Sequence, residues 1–388
     1  MHLKTKLMGA VFGATMLLGG VSPTLADTWP DLPVGLKNGI AVKIGNQIFA
    51  GLGTAGNALY ALDLDNPSAG WQNKAGFTGS APAQPAFGIS DGKLFVFSGS
   101  GKQTEADVAP IIFEDVHAYN PSSDTWQKIE TKTPTGFLGA SGLSLSDGRI
   151  AIVGGYNKEL FDKYLLEVLT TDKAAEPEKW NKIVGDYMGM EPADYLWNKQ
   201  VWAFDPAKAT WADLGENPYN PNTGSGIAAL GSDNFMVING EIKPGLRTDQ
   251  VKSIAINSND VSWTLNPALP AQDGSQVQEG LAAPYVGMAT NGAVLVAGGA
   301  NFPGARAKAD RGEWFAHEGL SKTRADGVFA FQNDTWTQVG VLDEGLAYGA
   351  SITLDGGVLF IGGEDNQGNA RSDVFLLDWD GDQLRKTN

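Results

Sequence analysis

The sequence contains no cysteine. That absence excludes thiol nucleophiles, thiolate-ligated metals and disulfides together. Histidine is nearly as scarce. There are three, His2 lies in the leader described below, and His117 and His317 alone make a poor transition-metal set. Basic residues are outnumbered, with 28 Lys and Arg against 44 Asp and Glu and a formal net charge of −16. Such a surface repels nucleic acid and anionic membranes, although a pocket sets its own local potential. Long apolar runs are also missing, with one exception. Leu7 to Val21 follows Lys4 and Lys6 and precedes Ser22-Pro23 and Thr24-Leu25-Ala26. The run is shorter than the ~20 residues a membrane span needs, and its flanks are those of a cleavable secretory signal. Residues 1–26 are therefore predicted to be a signal peptide, with an exported mature domain over 27–388 and no membrane anchor.

Glycine is abundant, at 50 residues, and it is periodic. Six apolar segments end in glycine: 48–53, 94–99, 150–155, 235–240, 294–299 and 358–363. Their closing glycines are 46, 56, 85, 59 and 64 residues apart. After each comes a second apolar segment, then a turn and usually a tryptophan, as in 116–121 before Trp126, 201–206 before Trp211 and 328–331 before Trp336. Trp71 and Trp263 fill the same place in the first and fourth units. The pattern resembles the kelch repeat. Six copies imply an all-β, six-bladed β-propeller, because a small sheet that cannot bury both faces alone can do so against radial neighbours. The tryptophans are expected to pack between blades rather than bind a ligand. The sixth unit has no clear tryptophan after 373–377, so Trp29–Pro33 is expected to supply its outer strand and close the ring. Gln383-Leu384-Arg385 is the alternative.

Two units are extended at the same point, between second and third strands. Residues 157–199 carry Leu160, Phe161, Tyr164, Leu165, Val168 and Leu169 at helical spacing, then Trp180, Ile183, Val184 and Tyr187. A helical insertion is predicted there in blade three, and a loop insertion over 302–326 in blade five. All such loops emerge on one face of a meandering propeller, and function concentrates in loops on a rigid scaffold. Five of the seven arginines fall in them: Arg247, Arg306, Arg311, Arg324 and Arg371. Guanidinium groups gathered in an acidic protein point to a carboxylate or phosphate ligand. The competing reading is local ion pairs, Arg247 with Asp249 and Arg371 with Asp373. The residues following each closing glycine are Thr54, Ser100, Tyr156, Glu241, Ala300 and Glu364. Two are carboxylates, and a pair converging on one pocket is suited to acid/base chemistry.

Glu241 belongs to Asn-Gly-Glu-Ile-Lys-Pro-Gly-Leu-Arg-Thr-Asp, residues 239–249. Together with the leader, the six repeats, Ala316-His317-Glu318-Gly319-Leu320 and Asp194-Tyr195-x-x-Asn198-Lys199, this stretch resembles the bacterial N-acetylneuraminate epimerase (sialic acid mutarotase) family over the whole mature chain. The resemblance implies a periplasmic isomerase that interconverts the α and β anomers of free N-acetylneuraminate. It needs no cofactor or metal, and it is a homodimer. It implies Glu241 as the acid/base and Arg247 as the residue that grips the substrate carboxylate. Arg306, Arg371, Glu364, His317 and Asn198 are the further candidate substrate-binding residues.

Other readings fit less well. A sialidase would carry Ser-x-Asp-x-Gly-x-x-Trp turns, whereas 122–125, 259–262 and 332–335 lack the glycine. A galactose-oxidase-like copper enzyme needs a Cys–Tyr crosslink. A non-catalytic sialic-acid-binding lectin or a kelch interaction scaffold is the alternative to an enzyme. A lectin would depend on Arg247 more than on Glu241.

Overall fold

A computed structural model describes residues 28–388; the predicted leader lies outside the described residues. The chain forms six four-stranded antiparallel sheets in sequence order. Blade one comprises Ile40–Ile44, Gln47–Gly51, Leu59–Asp63 and Gln72–Asn73. Blade two comprises Ala86–Ser90, Lys93–Phe97, Asp115–Asn120 and Thr125–Lys132. Blade three comprises Ser141–Ser144, Ile150–Val153, Gln200–Asp205 and Thr210–Glu216. Blade four comprises Gly226–Gly231, Asn234–Ile238, Val251–Asn257 and Asp260–Asn266. Blade five comprises Tyr285–Met288, Val294–Ala297, Gly327–Gln332 and Thr335–Val341. Blade six comprises Ala350–Leu354, Gly357–Glu364, Ala370–Trp379 and Leu384–Thr387.

The core lies between blades rather than within them. The second strands are apolar on both faces, so each sheet must cover two sides. Six apolar clusters result, each spanning two neighbours: Phe49 with Leu94 and Tyr119, Phe97 with Phe204, Val201 with Phe235, Ile238 with Val296, Leu295 with Phe360, and Ile48 with Leu359. Each such buried side chain contributes about 1.5–3 kcal/mol, which no isolated four-stranded sheet could collect. The tryptophans pack as expected. Trp71, Trp126 and Trp336 donate their indole N–H, each at 2.9 Å, to Pro30, Ala75 and Pro267 in the preceding segment of the ring.

Ring closure differs from the expectation. The outer strand of blade six is Leu384–Thr387, paired with Leu376–Trp379. Asp380 makes this possible, because its Oδ1 accepts from the N–H groups of Asp382 and Gln383 at 3.0 and 2.9 Å and so turns the chain tightly. The segment from Trp29 is a wedge instead. Trp29, Leu32 and Leu36 join the apolar cluster between blades six and one. The Leu32 and Leu36 N–H groups bond to the Ser372 and Arg371 carbonyls, both at 2.8 Å. Near the axis the closure is explicit. Asn38, Gln84, Gly139, Gly224, Ala283 and Tyr348, each two residues before an innermost strand, all have positive φ. Each N–H donates to the carbonyl of its counterpart in the preceding blade, Asn38 to Tyr348 included, at 2.6–3.1 Å. Six hydrogen bonds thus form a closed circle, offsetting about 1–2 kcal/mol of left-handed strain at each non-glycine position.

The blade-three insertion folds into α1 (Lys158–Thr170), capped by Asn157, and α2 (Pro177–Met188), which opens on proline. In the blade-five insertion a short helix, α3 (Ala305–Ala309), precedes Thr323–Arg324. Among the described residues no helix is long and apolar enough to cross a membrane.

Candidate active site

Past its closing glycine the second strand of blade four does not end. It bends at Asn239 and Gly240, with φ of 56° and 100°, and continues as a ribbon of Glu241–Lys243 against Leu246–Arg247. Pro244-Gly245 makes the turn, and the register sets Glu241 opposite Arg247. The Glu241 backbone also bridges Thr223, beside the axial circle at Gly224. A carboxylate and a guanidinium six residues apart are therefore cross-strand partners. They meet with Glu241 Oε1 2.8 Å from Arg247 Nη2.

Tyr156, the residue after the closing glycine in blade three, donates its phenol to Glu241 Oε2 at 3.0 Å. Both carboxylate oxygens thus have a named partner. Tyr156 packs on Trp197 and Phe161 of the insertion, with ring centroids 4.4 and 5.3 Å away. Burial, and then the charge of Glu241, push its phenol well above the usual tyrosine range. The side chain of Arg247 is 3% exposed. It donates Nε to the Ala300 carbonyl at 3.2 Å, lies 4.8 Å from the Phe302 ring and stands beside the Tyr348 phenol. Burial opposes its charge, and Glu241 together with the Tyr348 and Tyr156 phenols more than restores it. Its Nη1 is buried without a partner, an unusual state for so strong a donor.

Tyr348 also feels the charge of Glu364, and Lys322 lies 4.7 Å over its ring. Glu364 gathers Lys37 at 2.5 Å, Lys322 at 2.9 Å and Arg324 through Nε at 2.9 Å. Burial raises its pKa, but the three cations outweigh burial and bring it to about 2. It is an anchor for cations rather than a proton shuttle. Around Tyr348 four cations, Arg247, Lys37, Lys322 and Arg324, face two carboxylates, Glu241 and Glu364. A protein of net charge −16 thus concentrates a positive surplus at one mouth of its axis. The axial channel between the first strands holds about 300 Å³, and Tyr348 lines it while none of these six charged groups does.

The other candidates divide. The His317 ring packs between Phe302 and Phe315, at 5.1 and 5.0 Å, with Nδ1 buried and unpartnered. Burial and then Arg247 lower its pKa, so it is a neutral neighbour of the pair. Arg306 takes Asp249 at 3.1 Å and leaves Nε unpartnered, so the expected pairing of Asp249 with Arg247 does not form. Asn198 spends both amide hydrogens on the Gly154 and Gln200 carbonyls, each at 2.9 Å, and braces the root of the insertion. Arg371 is not gathered with the others. Asp373 at 2.8 Å and Glu344 hold it in a separate cavity with Trp29 and Phe375, as the local-pair reading expected. Arg311 is exposed and pairs with Glu313 at 2.7 Å. The expectation that five arginines share one site is therefore corrected to Arg247 and Arg324, with Arg306 at the edge.

Several residues escaped the sequence reading. In the sequence Tyr156 stands out only as a post-glycine position. Tyr348, Lys37, Lys322 and Phe302 were not singled out. Alignment of the repeats on the residue two before each first strand would have put Tyr348 on the axial circle. Lys243, inside the central stretch, is wholly buried. It donates to the Met188, Met190 and Trp314 carbonyls, the first two at 2.7 and 2.8 Å, and so ties the two insertions together.

Comparison with known proteins sets this geometry in context. A family model described as N-acetylneuraminate epimerase matches residues 29–385. The chain is similar to the N-acetylneuraminate epimerase of Brucella melitensis, 51% identical over 94% of this chain and 93% of that protein. It is similar to that of Vibrio vulnificus at 44% identity over 92% of each. The solved structure of YjhT superposes with a TM-score of 0.86 at 32% identity, covering 93% of this chain and 99% of that one.

Proposed function

The chain belongs to the N-acetylneuraminate epimerase family, and from that membership we propose that it is an isomerase interconverting the α and β anomers of free N-acetylneuraminate. The observation that carries the reading is the Glu241–Arg247 pair, set among surplus cations. The substrate is a cyclic hemiketal whose anomeric carbon bears a carboxylate. Mutarotation removes the proton of the anomeric hydroxyl, protonates the ring oxygen and opens the ring to a ketone. Rotation and reclosure give the other anomer.

Glu241 takes the hydroxyl proton and returns it on closure. Proton transfer by a positioned side chain typically contributes about 10²–10⁴-fold. Arg247 holds the substrate carboxylate. Its Nη2 is committed to Glu241, so the grip falls to the unpartnered Nη1. Fixing the carboxylate fixes the reacting carbon one bond away. Lys322 and Lys37, 32% and 23% exposed, supply the attraction that draws a monoanion to an acidic protein. His317 and Arg306 line the same region, each with a buried nitrogen lacking a hydrogen-bond partner. Export to the periplasm and a homodimeric state complete the proposal. Osmotic-shock fractionation and sedimentation velocity test them.

The experiment is proton NMR of freshly dissolved β-N-acetylneuraminate, following the α signal with and without protein. Acceleration that Glu241→Gln abolishes while sugar binding survives supports the reading. Binding without acceleration by the native protein would leave a lectin-like propeller.

A further inference from the structure

We propose that Tyr156 is a second catalytic residue, the general acid that protonates the ring oxygen while Glu241 deprotonates the anomeric hydroxyl, and that the blade-three insertion serves to hold it there. The proposal rests on the mutarotase reading above. Ring opening needs a proton taken and a proton given at atoms attached to the same carbon. A carboxylate paired with Arg247 can accept the first but carries none for the second. The hydroxyl hydrogen-bonded to that carboxylate, at 3.0 Å on Oε2, is Tyr156.

The step balances without any co-reactant. The bond from the anomeric carbon to the ring oxygen breaks, and the carbonyl forms from the anomeric oxygen. The hydroxyl proton passes to Glu241, the phenol proton passes to the ring oxygen, and Glu241 returns its proton to Tyr156 along their hydrogen bond. Reclosure runs the same cycle backwards. Because burial and the neighbouring carboxylate disfavour a phenolate, these transfers are coupled and no charged phenol accumulates.

The surroundings of Tyr156 are built rather than incidental. Trp197 and Phe161 pack on its ring. Behind them stand Tyr195, Tyr187 and Tyr164, the last two stacked at 4.0 Å. All five belong to the insertion, whose own apolar cluster includes Tyr156. Lys243 ties that cluster to the Glu241 ribbon through the Met188 and Met190 carbonyls. Acid and base are therefore locked to each other by the same element that lengthens blade three.

Anomer exchange should be measured by NMR at saturating N-acetylneuraminate for the native protein, Tyr156→Phe, and a protein with 3-fluorotyrosine at 156, with Glu241→Gln as reference. Tyr156→Phe is expected to lose about 10²-fold in kcat, the usual share of a general acid, with KM unchanged. The fluorotyrosine protein keeps shape and hydroxyl and should stay within a few-fold of native. In H₂O/D₂O mixtures the native rate should curve with deuterium content, reporting several protons in flight, and the residual Tyr156→Phe rate should be linear. A near-native Tyr156→Phe rate, a loss confined to KM, equal losses in the Phe and fluorotyrosine proteins, or unaltered curvature would each overturn the proposal while leaving the mutarotase reading intact. An inactive native protein would overturn both.

Discussion

Glu241 and Arg247 are cross-strand partners in a two-stranded ribbon, Cα opposite Cα, with Oε1 and Nη2 2.8 Å apart. Each holds the other in a place it would not keep alone. Glu241→Gln keeps the shape and removes the proton acceptor, so kcat should fall about 10²–10⁴-fold while calorimetric affinity for N-acetylneuraminate changes little. Arg247→Lys keeps the charge and loses the planar fork. One lost charge-assisted hydrogen bond is about 1.5–3 kcal/mol, so KM should rise about ten- to hundred-fold. An unchanged KM in Arg247→Lys would remove Arg247 from substrate binding.

Gly245 tests the turn that sets this register. Its φ is +81°, and a Cβ there would lie 1.7 Å from His317 Nδ1. Neither the ring, packed between Phe302 and Phe315, nor the turn has room to yield. Gly245→Ala should destabilise the protein by about 1–2 kcal/mol from the left-handed strain alone. It should also displace His317 and reduce activity more than stability. Denaturant melts beside NMR exchange rates would separate the two losses, and a native-like variant would mean the ribbon is pliable.

Glu364 should show its anchoring role as a pH effect. Its folded pKa is about 2, below the ~4.3 of an exposed glutamate. A lowered carboxyl pKa stabilises the fold above the unfolded value, and that stability is lost as pH falls through the folded one. Glu364→Gln leaves Lys37, Lys322 and Arg324 without their shared partner, at a cost of about 3–5 kcal/mol at pH 7. The gap between native and variant unfolding midpoints should narrow from about pH 4 and close near the folded pKa. A constant gap would assign the cost to packing.

Lys243 and Lys252 predict a second rise of stability with pH, in the alkaline range. Burial lowers their pKa values to about 8 and about 7. An unfolded lysine keeps its proton to about pH 10.4. Between pH 7 and 10 the unfolded chain therefore binds more protons than the folded one, and stability rises with pH across that window. Urea melts at pH 7, 8, 9 and 10 should show the rise, and Lys252→Met should flatten its share. A decline over this range would mean that both amines stay charged when buried.

Much of the architecture is written in local pattern. Six glycine-ended apolar segments and their tryptophans required radial packing, because two-faced apolar strands have no other way to bury both sides. Helical spacing in 160–169 and 180–187 required helices. Asn239 to Asp249 announced a carboxylate and an arginine on one turn, because the Pro-Gly reversal is itself local. What tertiary structure decided is which charges meet. Asp249 is two residues from Arg247 and Glu241 is six, yet ribbon register gave Arg247 to Glu241 and left Asp249 to Arg306. Arg371 keeps the local pair with Asp373 that its spacing allows, and tertiary structure adds Glu344 from 27 residues away. Ring closure was equally out of reach, since a short Asp380 turn and an apolar wedge competed for one edge and only packing separated them. Tyr156, Tyr348, Lys37 and Lys322 come from four different parts of the chain. They became a site because six hydrogen bonds around the axis bring the blade mouths together, a relationship between residues far apart in sequence that no local spacing encodes.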